Sequence, residues 1–261
     1  MEMHGQWFRD REGIPSVDTS QSDKWLKNAQ LTPETESLII AAQEQTLATN
    51  YVRKNIWKTD CDPRCRICKE SAETVKHIVS GCTCLAGSKY TNRHDKLGTY
   101  VHWTILKDLG INVCDEWFKH VPEKVVESGE TIIMWDYAII TDKKVGANRP
   151  DITIHDRKEK KVILIDFSVP YDMNIVEKTA EKITKYRDLE IEIKKCWKLN
   201  NVITVPVIVG ALGTVCADFL KYLKLISKNL NPNIIQKTAL LGTANILRSV
   251  LSMESIETST K

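Results

Sequence analysis

Two apolar runs, residues 151–155 and 161–167, flank the polar stretch Asp156, Arg157, Lys158, Glu159 and Lys160. β-Branched residues dominate both runs, and so short a charged linker leaves them an antiparallel hairpin as their natural pairing. A hairpin symmetric about Lys158 and Glu159 sets Asp151 directly opposite Asp166. Directly opposed residues point to one face, with Cβ atoms about 4.5–5.5 Å apart. Two like charges so placed repel unless a cation lies between them, and carboxylates on a small rigid scaffold suit Mg2+ or Mn2+. Such an ion polarises a phosphate ester and lowers the pKa of an attacking water. On spacing alone, two turn-flanking acids with no special role fit equally well.

Residues 131–140 and 202–209 are also short, β-rich and bounded by turn residues. Residues 174–199 are charged and helically spaced, and helices are expected again over 217–230 and 233–251. Strands interleaved with helices predict an α/β domain. The helix after the second apolar run carries Lys178, Lys182, Lys185 and Tyr186, with Lys182 and Tyr186 four apart on one face. A lysine there would stabilise charge developing on a phosphate. A solvated stripe explains the same residues, since Glu181 and Lys185 make an ordinary i,i+4 pair.

Upstream, Cys65, Cys68, His77 and Cys82 have the spacing C-x2-C-x8-H-x4-C. A two-residue gap lets one turn present two thiolates to one ion, and His plus Cys complete a closed, structural zinc tetrahedron. Cys61 and Cys84 flank the set as competing ligands, whereas Cys114, Cys196 and Cys216 are expected in the core. No apolar leader opens the chain and no run is long enough to cross a bilayer. An intracellular protein, nuclear or cytoplasmic, with no membrane partner is therefore expected. In such a reducing compartment eight cysteines point to metal or free thiols. Basic residues cluster on both sides of the cysteines: Arg53, Lys54, Lys58, Arg64, Arg66 and Lys69 before and within, then Lys89, Arg93, Lys96 and Lys107. They suit a phosphate-contacting surface, although charge alone equally fits a solvated face. Residues 1–30 read as irregular. Thr32 and Pro33 then cap a helix over 34–52, and another is expected over 92–109. His120 and His155 have no evident partners, and Trp103, Trp135 and Trp197 are expected in cores.

In this order the blocks resemble the C-terminal region of non-LTR retrotransposon polyproteins, in the older lineage with a restriction-like endonuclease. The blocks are the cysteine knuckle; Asn92, Arg93, His94 and Asp95 leading to His102 and Trp103; Asn148, Arg149, Pro150 and Asp151 with Asp166; and Glu181 through Tyr186. Trp135–Asp136, Thr141–Asp142 and residues 206–213 also look like family blocks. The resemblance implies a nuclease that nicks DNA, with RNA as a further partner, to prime reverse transcription. Asp151 and Asp166 look like its magnesium ligands and Lys182 like its displaced catalytic lysine, helped by Lys185 and Tyr186. Arg93 and His94 look like nucleic-acid-binding residues. Many such nucleases carry the lysine two residues after the second acid, where this chain has Ser168, so Lys182 and Lys185 both stand as candidates. No Tyr-Ala-Asp-Asp-like polymerase motif occurs. A 3′ remnant, a truncated polyprotein or a captured host gene is expected, and a catalytically inactive nucleic-acid-binding relic is the alternative to a nuclease.

The fold class these readings predict is α+β. A helical segment (1–60) leads to a CCHC zinc knuckle with a basic-His linker (61–115). A restriction-endonuclease-like core with a mixed sheet follows (116–230), and a C-terminal helix (231–261) ends the chain.

Overall fold

The computed structural model describes residues 5–253; the first four and the last eight positions of the expected N- and C-terminal segments lie outside the described residues. The helices are α1 (Gln6–Glu12), α2 (Thr19–Asp23), α3 (Trp25–Asn28), α4 (Pro33–Gln43), α5 (Asn50–Asn55) and α6 (Thr83–Leu85). They continue with α7 (Thr91–Asp108), α8 (Ile175–Lys185), α9 (Arg187–Cys196), α10 (Phe219–Ile226) and α11 (Pro232–Leu251). The strands are β1 (Val125–Ser128), β2 (Thr131–Trp135), β3 (Ile152–Asp156), β4 (Lys161–Ser168) and β5 (Asn201–Ile208).

The five strands form one mixed sheet in the order β1-β2-β3-β4-β5. The first four make an antiparallel meander, and β5 joins β4 in parallel. A parallel step needs a crossover, which α8 and α9 supply. In the β3–β4 hairpin Ile152 pairs with Ile165 and Asp156 with Lys161, the register expected from symmetry about Lys158 and Glu159. Strand β4 is covered on both sides. Ile163, Ile165 and Phe167 face α7, α10 and α11, while Val162 and Leu164 face Tyr186, Leu189 and Ile193 around α9. Each such side chain, fully buried, contributes about 1.5–3 kcal/mol, which makes this strand the spine of the fold.

Several elements depart from expectation for local reasons. Residues read as irregular form α1, α2 and α3, seated by Trp7 and Trp25, each 1% exposed. The helix expected over 34–52 is two, because Gln45 turns to φ +56° and the Thr49 hydroxyl restarts the chain by accepting from the Val52 N–H at 3.3 Å. The segment 174–199 likewise breaks at Tyr186, between α8 and α9. The strand expected over 131–140 stops at Trp135, since Asp136 adopts φ +44°. Strand β1 had no clear apolar alternation to announce it.

The largest core runs through the expected boundaries at 115 and 230. It joins Leu97, Tyr100 and Ile105 of α7 to the sheet and to Leu230, Ile235 and Ala239. Glycines permit the closest approaches. A Cβ at Gly98 would stand 2.6 Å from the Trp135 ring, and one at Gly242 2.5 Å from Arg93 Cγ, so α7 lies tight against β2 and α11. The change of sequence texture near 115 therefore falls inside one packed body. No helix of the described residues is long and apolar enough to cross a membrane.

Candidate functional site

Cys65, Cys68, His77 and Cys82 bring their ligand atoms within 4.8 Å of one another. Cys65 Sγ lies 4.0 Å from Cys82 Sγ, and Cys68 Sγ lies 3.4 Å from His77 Nε2. A zinc tetrahedron with Zn–S bonds of about 2.3 Å has edges of roughly 3.7 Å, so the spacing fits. The first turn is closed by Cys65 N–H on Ser71 O (2.7 Å) and Lys69 N–H on Cys65 O (2.9 Å). Buried Glu73 accepts from the Arg66 N–H at 2.7 Å and from its guanidinium at 2.5 Å, which fixes the loop between the ligands. On the far side the Tyr90 hydroxyl meets the Cys82 N–H at 3.1 Å and Ile78 O at 2.7 Å.

Burial and the nearby sulfurs push the Cys82 thiol up to about 12. Burial acts on Cys68 in the same direction, but N–H groups of Ser71 and Glu70 outweigh it and leave that thiol below its ordinary value. Burial lowers His77, so its ring is neutral and free to ligate. These four residues can hold a metal ion, and their donor types suit zinc. Of the competing cysteines, Cys61 Sγ rests 3.9 Å from Asn50 O and Cys84 is exposed, both outside the cluster. Cys216 is in the core as expected, but Cys114 is exposed and Cys196 half-buried.

At the end of the β3–β4 hairpin the pairing stops at Ile152 with Ile165; Asp151 stands just before β3 and Asp166 is the next residue along β4, whose neighbour Phe167 donates its N–H to Asp151 Oδ2 at 2.7 Å. Asp166 is 1% exposed. Its Oδ1 accepts from the Tyr186 hydroxyl at 2.5 Å and from Lys185 Nζ at 3.0 Å. Its Oδ2 contacts Lys182 Nζ as an ion pair, without the alignment of a hydrogen bond. Burial raises the Asp166 pKa, yet the two lysine charges and the tyrosine hydroxyl prevail and hold it below the usual carboxylate value. Burial and the same carboxylate push Tyr186 far up, so it stays a donor. Lys182, Lys185 and Tyr186, the three candidates on the helical segment after β4, thus all contact Asp166. The repulsion expected between the two acids is instead met by cations.

The Asp151 side chain bonds through Oδ2, from the Phe167 N–H at 2.7 Å and with His94 Nε2 at 3.1 Å, while its backbone carbonyl accepts from the Asp136 N–H at 2.7 Å. His94 Nδ1 lies 3.0 Å from Asp95. Burial alone would lower the His94 pKa, but hydrogen bonds and charges from Asp151 and Asp95 reverse this and push it up to about 9. A cavity of about 610 Å³ opens over Asp151, His94, Trp135, Asp136 and Lys178. Asp136 also pairs with Arg149 at 2.6 Å. Both acids have partners on the protein: Asp166 meets Tyr186 and Lys185 through Oδ1 and Lys182 through Oδ2, while Asp151 meets Phe167 and His94 through Oδ2.

Arg93 corrects an expectation. It is 3% exposed, and its guanidinium donates to Thr243 Oγ1 (2.8 Å), Val79 O (2.8 Å) and Val169 O (3.1 Å). It clamps α7 to α11 and to the segment just after β4, and the same residue lines both cavities beside α7. The basic stretch 53–69 is also less open than its count suggests, since Lys54 pairs with Asp60, Arg64 with Asp62 and Arg66 with Glu73. The two unassigned histidines do have partners. His120 Nε2 lies 2.8 Å from His102 Nδ1, and His155 stacks on Trp197 at 4.7 Å. The link between His94 and Asp151 joins residues 57 apart and had no local signal.

No protein-family model matches the chain, and no curated protein matches it. What its residues do follows from their geometry and chemistry.

Proposed function

We propose that this protein is a DNA-nicking endonuclease module of the non-LTR retrotransposon kind, working with Mg2+ or Mn2+ held by Asp151 and Asp166. The observation that carries the reading is the cluster of Lys182, Lys185 and Tyr186 of the crossover on Asp166, with Asp151 tied to the adjoining residue Phe167 of β4. A mixed sheet with a helical crossover between its parallel strands is also the layout expected of a restriction-like core. When bound, the cation would polarise the scissile phosphate and lower the pKa of an attacking water.

The chain's own residues have distinct parts. Tyr186 orients Asp166 through its short hydrogen bond. Lys182, with 15% of its side chain exposed, is the more enclosed ammonium and is assigned to the charge that develops on the phosphate. Lys185, 37% exposed, assists from the rim. His94 positions Asp151 and adds positive charge to the cavity a phosphate would enter. Zinc at Cys65, Cys68, His77 and Cys82 would fix the segment against α11, where Val79 and Cys82 share a core with Ile246 and Leu247.

A second reading, a nucleic-acid-binding protein without catalysis, is favoured by the ion pairs that already neutralise Asp166. Supercoiled plasmid incubated with protein and Mn2+ separates the two. Nicked circles from the wild type, and few or none from Asp151→Ala, support the nuclease. Equal nicking by Asp151→Ala, or none by the wild type, overturns it. In the latter case, salt-sensitive DNA binding in EDTA identifies the second reading.

A further inference from the structure

Helix α7 separates two cavities. Thr91, His94 and Asp95 line the pocket over Asp151, Asn92, Lys96 and Thr99 line a second cavity of about 1170 Å³, and Arg93 lines both. Residues of α11 and of the short turn Trp117–Lys119 complete it. The chemistry of this second space differs from that of the first. Lys89, Lys96 and Lys237 line it, and among the described residues no acidic side chain does. None of the three lysines forms an ion pair among the described residues; Lys237 Nζ reaches only the Gln30 carbonyl, at 3.4 Å. Beside them Trp117 and Phe118 pack edge to face at 6.0 Å, and the Phe118 ring is left 64% exposed.

An aromatic ring kept in water next to three unpaired ammonium groups matches a ligand that is both anionic and flat. Stacking on such a ring and charge pairing along a groove are how single strands are held without sequence preference. A duplex keeps its bases stacked inward and offers Phe118 no face. An acidic peptide would satisfy the lysines but leave the rings unused. We propose that this cavity binds a single-stranded segment of nucleic acid. Its bases stack on Phe118, its phosphates lie on Lys89, Lys96 and Lys237, and the strand passes over α7 toward the pocket over Asp151. The choice of occupant rests on the reading of the protein as acting on nucleic acid, but the binding itself needs no divalent cation.

Fluorescence anisotropy of a labelled oligothymidylate in EDTA, with the full chain, tests the proposal. Phe118→Ala should weaken binding by about five- to a hundredfold, the range of one lost base stack, while Phe118→Trp should retain it. The combined change of Lys89, Lys96 and Lys237 to Gln should weaken binding and flatten the slope of log affinity against log salt by about 2. Polyglutamate of equal length should compete at least tenfold less well than unlabelled oligothymidylate. These positions are solvent-accessible, so circular dichroism should show the variants folded. No oligothymidylate binding by the wild type, or affinity unchanged in the folded Phe118→Ala and lysine variants, overturns the proposal. Equal competition by polyglutamate overturns it in favour of an acidic peptide. Because cleavage is suppressed in EDTA, a protein that nicks plasmid but fails here refutes the groove alone. One that binds here but never nicks refutes the nuclease alone.

Discussion

Replacing Asp166 by Asn removes one charge and puts an NH2 donor where Oδ2 faced Lys182, while the amide oxygen can still accept from Tyr186. The carboxylate is 1% exposed and lies against Lys182 and Lys185. Leaving a buried charge unpaired costs about 3–5 kcal/mol. Lys182 is 15% exposed and Lys185 37%, so both can swing partly into water, which reduces the expected loss to about 2 kcal/mol. With a urea slope of about 2–3 kcal/mol/M for a chain this size, the midpoint should fall by roughly 0.7–1 M in EDTA. The pH dependence follows from the lowered Asp166 pKa. A depressed carboxylate contributes stability above its unfolded value, here near the ordinary 3.8, and loses it as pH falls through the folded value. The gap between wild type and variant should therefore be full at neutral pH and close in acid. A variant as stable as the wild type at pH 7, or more stable, refutes the reasoning. It would mean that Asp166 is strained by Asp151 rather than held by the lysines.

Elemental analysis of purified protein should find one zinc per chain. Cys68→Ser should lose it and speed amide exchange across residues 65–85 while β4 stays protected; zinc-free wild-type protein contradicts this. In metal-free protein the His94 ring should titrate near 9, and in Asp151→Asn it should fall toward the ordinary range, read by NMR; a wild-type value near 6.5 denies the contact. Since this pKa is raised, the pairing contributes most below the unfolded value and disappears as pH rises through about 9, and solvent screening holds it to about 1 kcal/mol. Gly242→Ala places a methyl 2.5 Å from Arg93 Cγ and should cost about 1–3 kcal/mol in a thermal melt, with an unchanged melting temperature as the contrary result.

The hairpin was legible because its signal is local. A short polar linker between two apolar runs leaves few registers, and the observed pairing of Ile152 with Ile165 is the symmetric one. The cysteine spacing was legible for the same reason, as was the helix face that offers Lys182 and Tyr186. Long-range chemistry was not. His94 meets Asp151 only because Gly98 lets α7 settle on Trp135 and Phe167, and nothing near His94 in the chain announces that approach. Arg93 looked like a surface cation because charge usually means exposure. Its burial depends on carbonyls of Val79 and Val169 and a hydroxyl of Thr243, which come from three distant segments. The N-terminal helices hid behind a polar composition, since Trp7 and Trp25 carry most of their anchoring. The break at Tyr186 was masked by helical spacing on both sides, yet it falls at the very residue whose hydroxyl holds Asp166.

Mn2+ binding followed by electron paramagnetic resonance, on zinc-loaded protein, probes the shared acid pair most directly. The wild type should take up one Mn2+ ion with an affinity that Asp151→Asn reduces at least tenfold, zinc content unchanged. Wild-type protein that leaves all the Mn2+ free in solution, or an Asp151→Asn protein that binds it equally well, would contradict a cation site at Asp151 and Asp166.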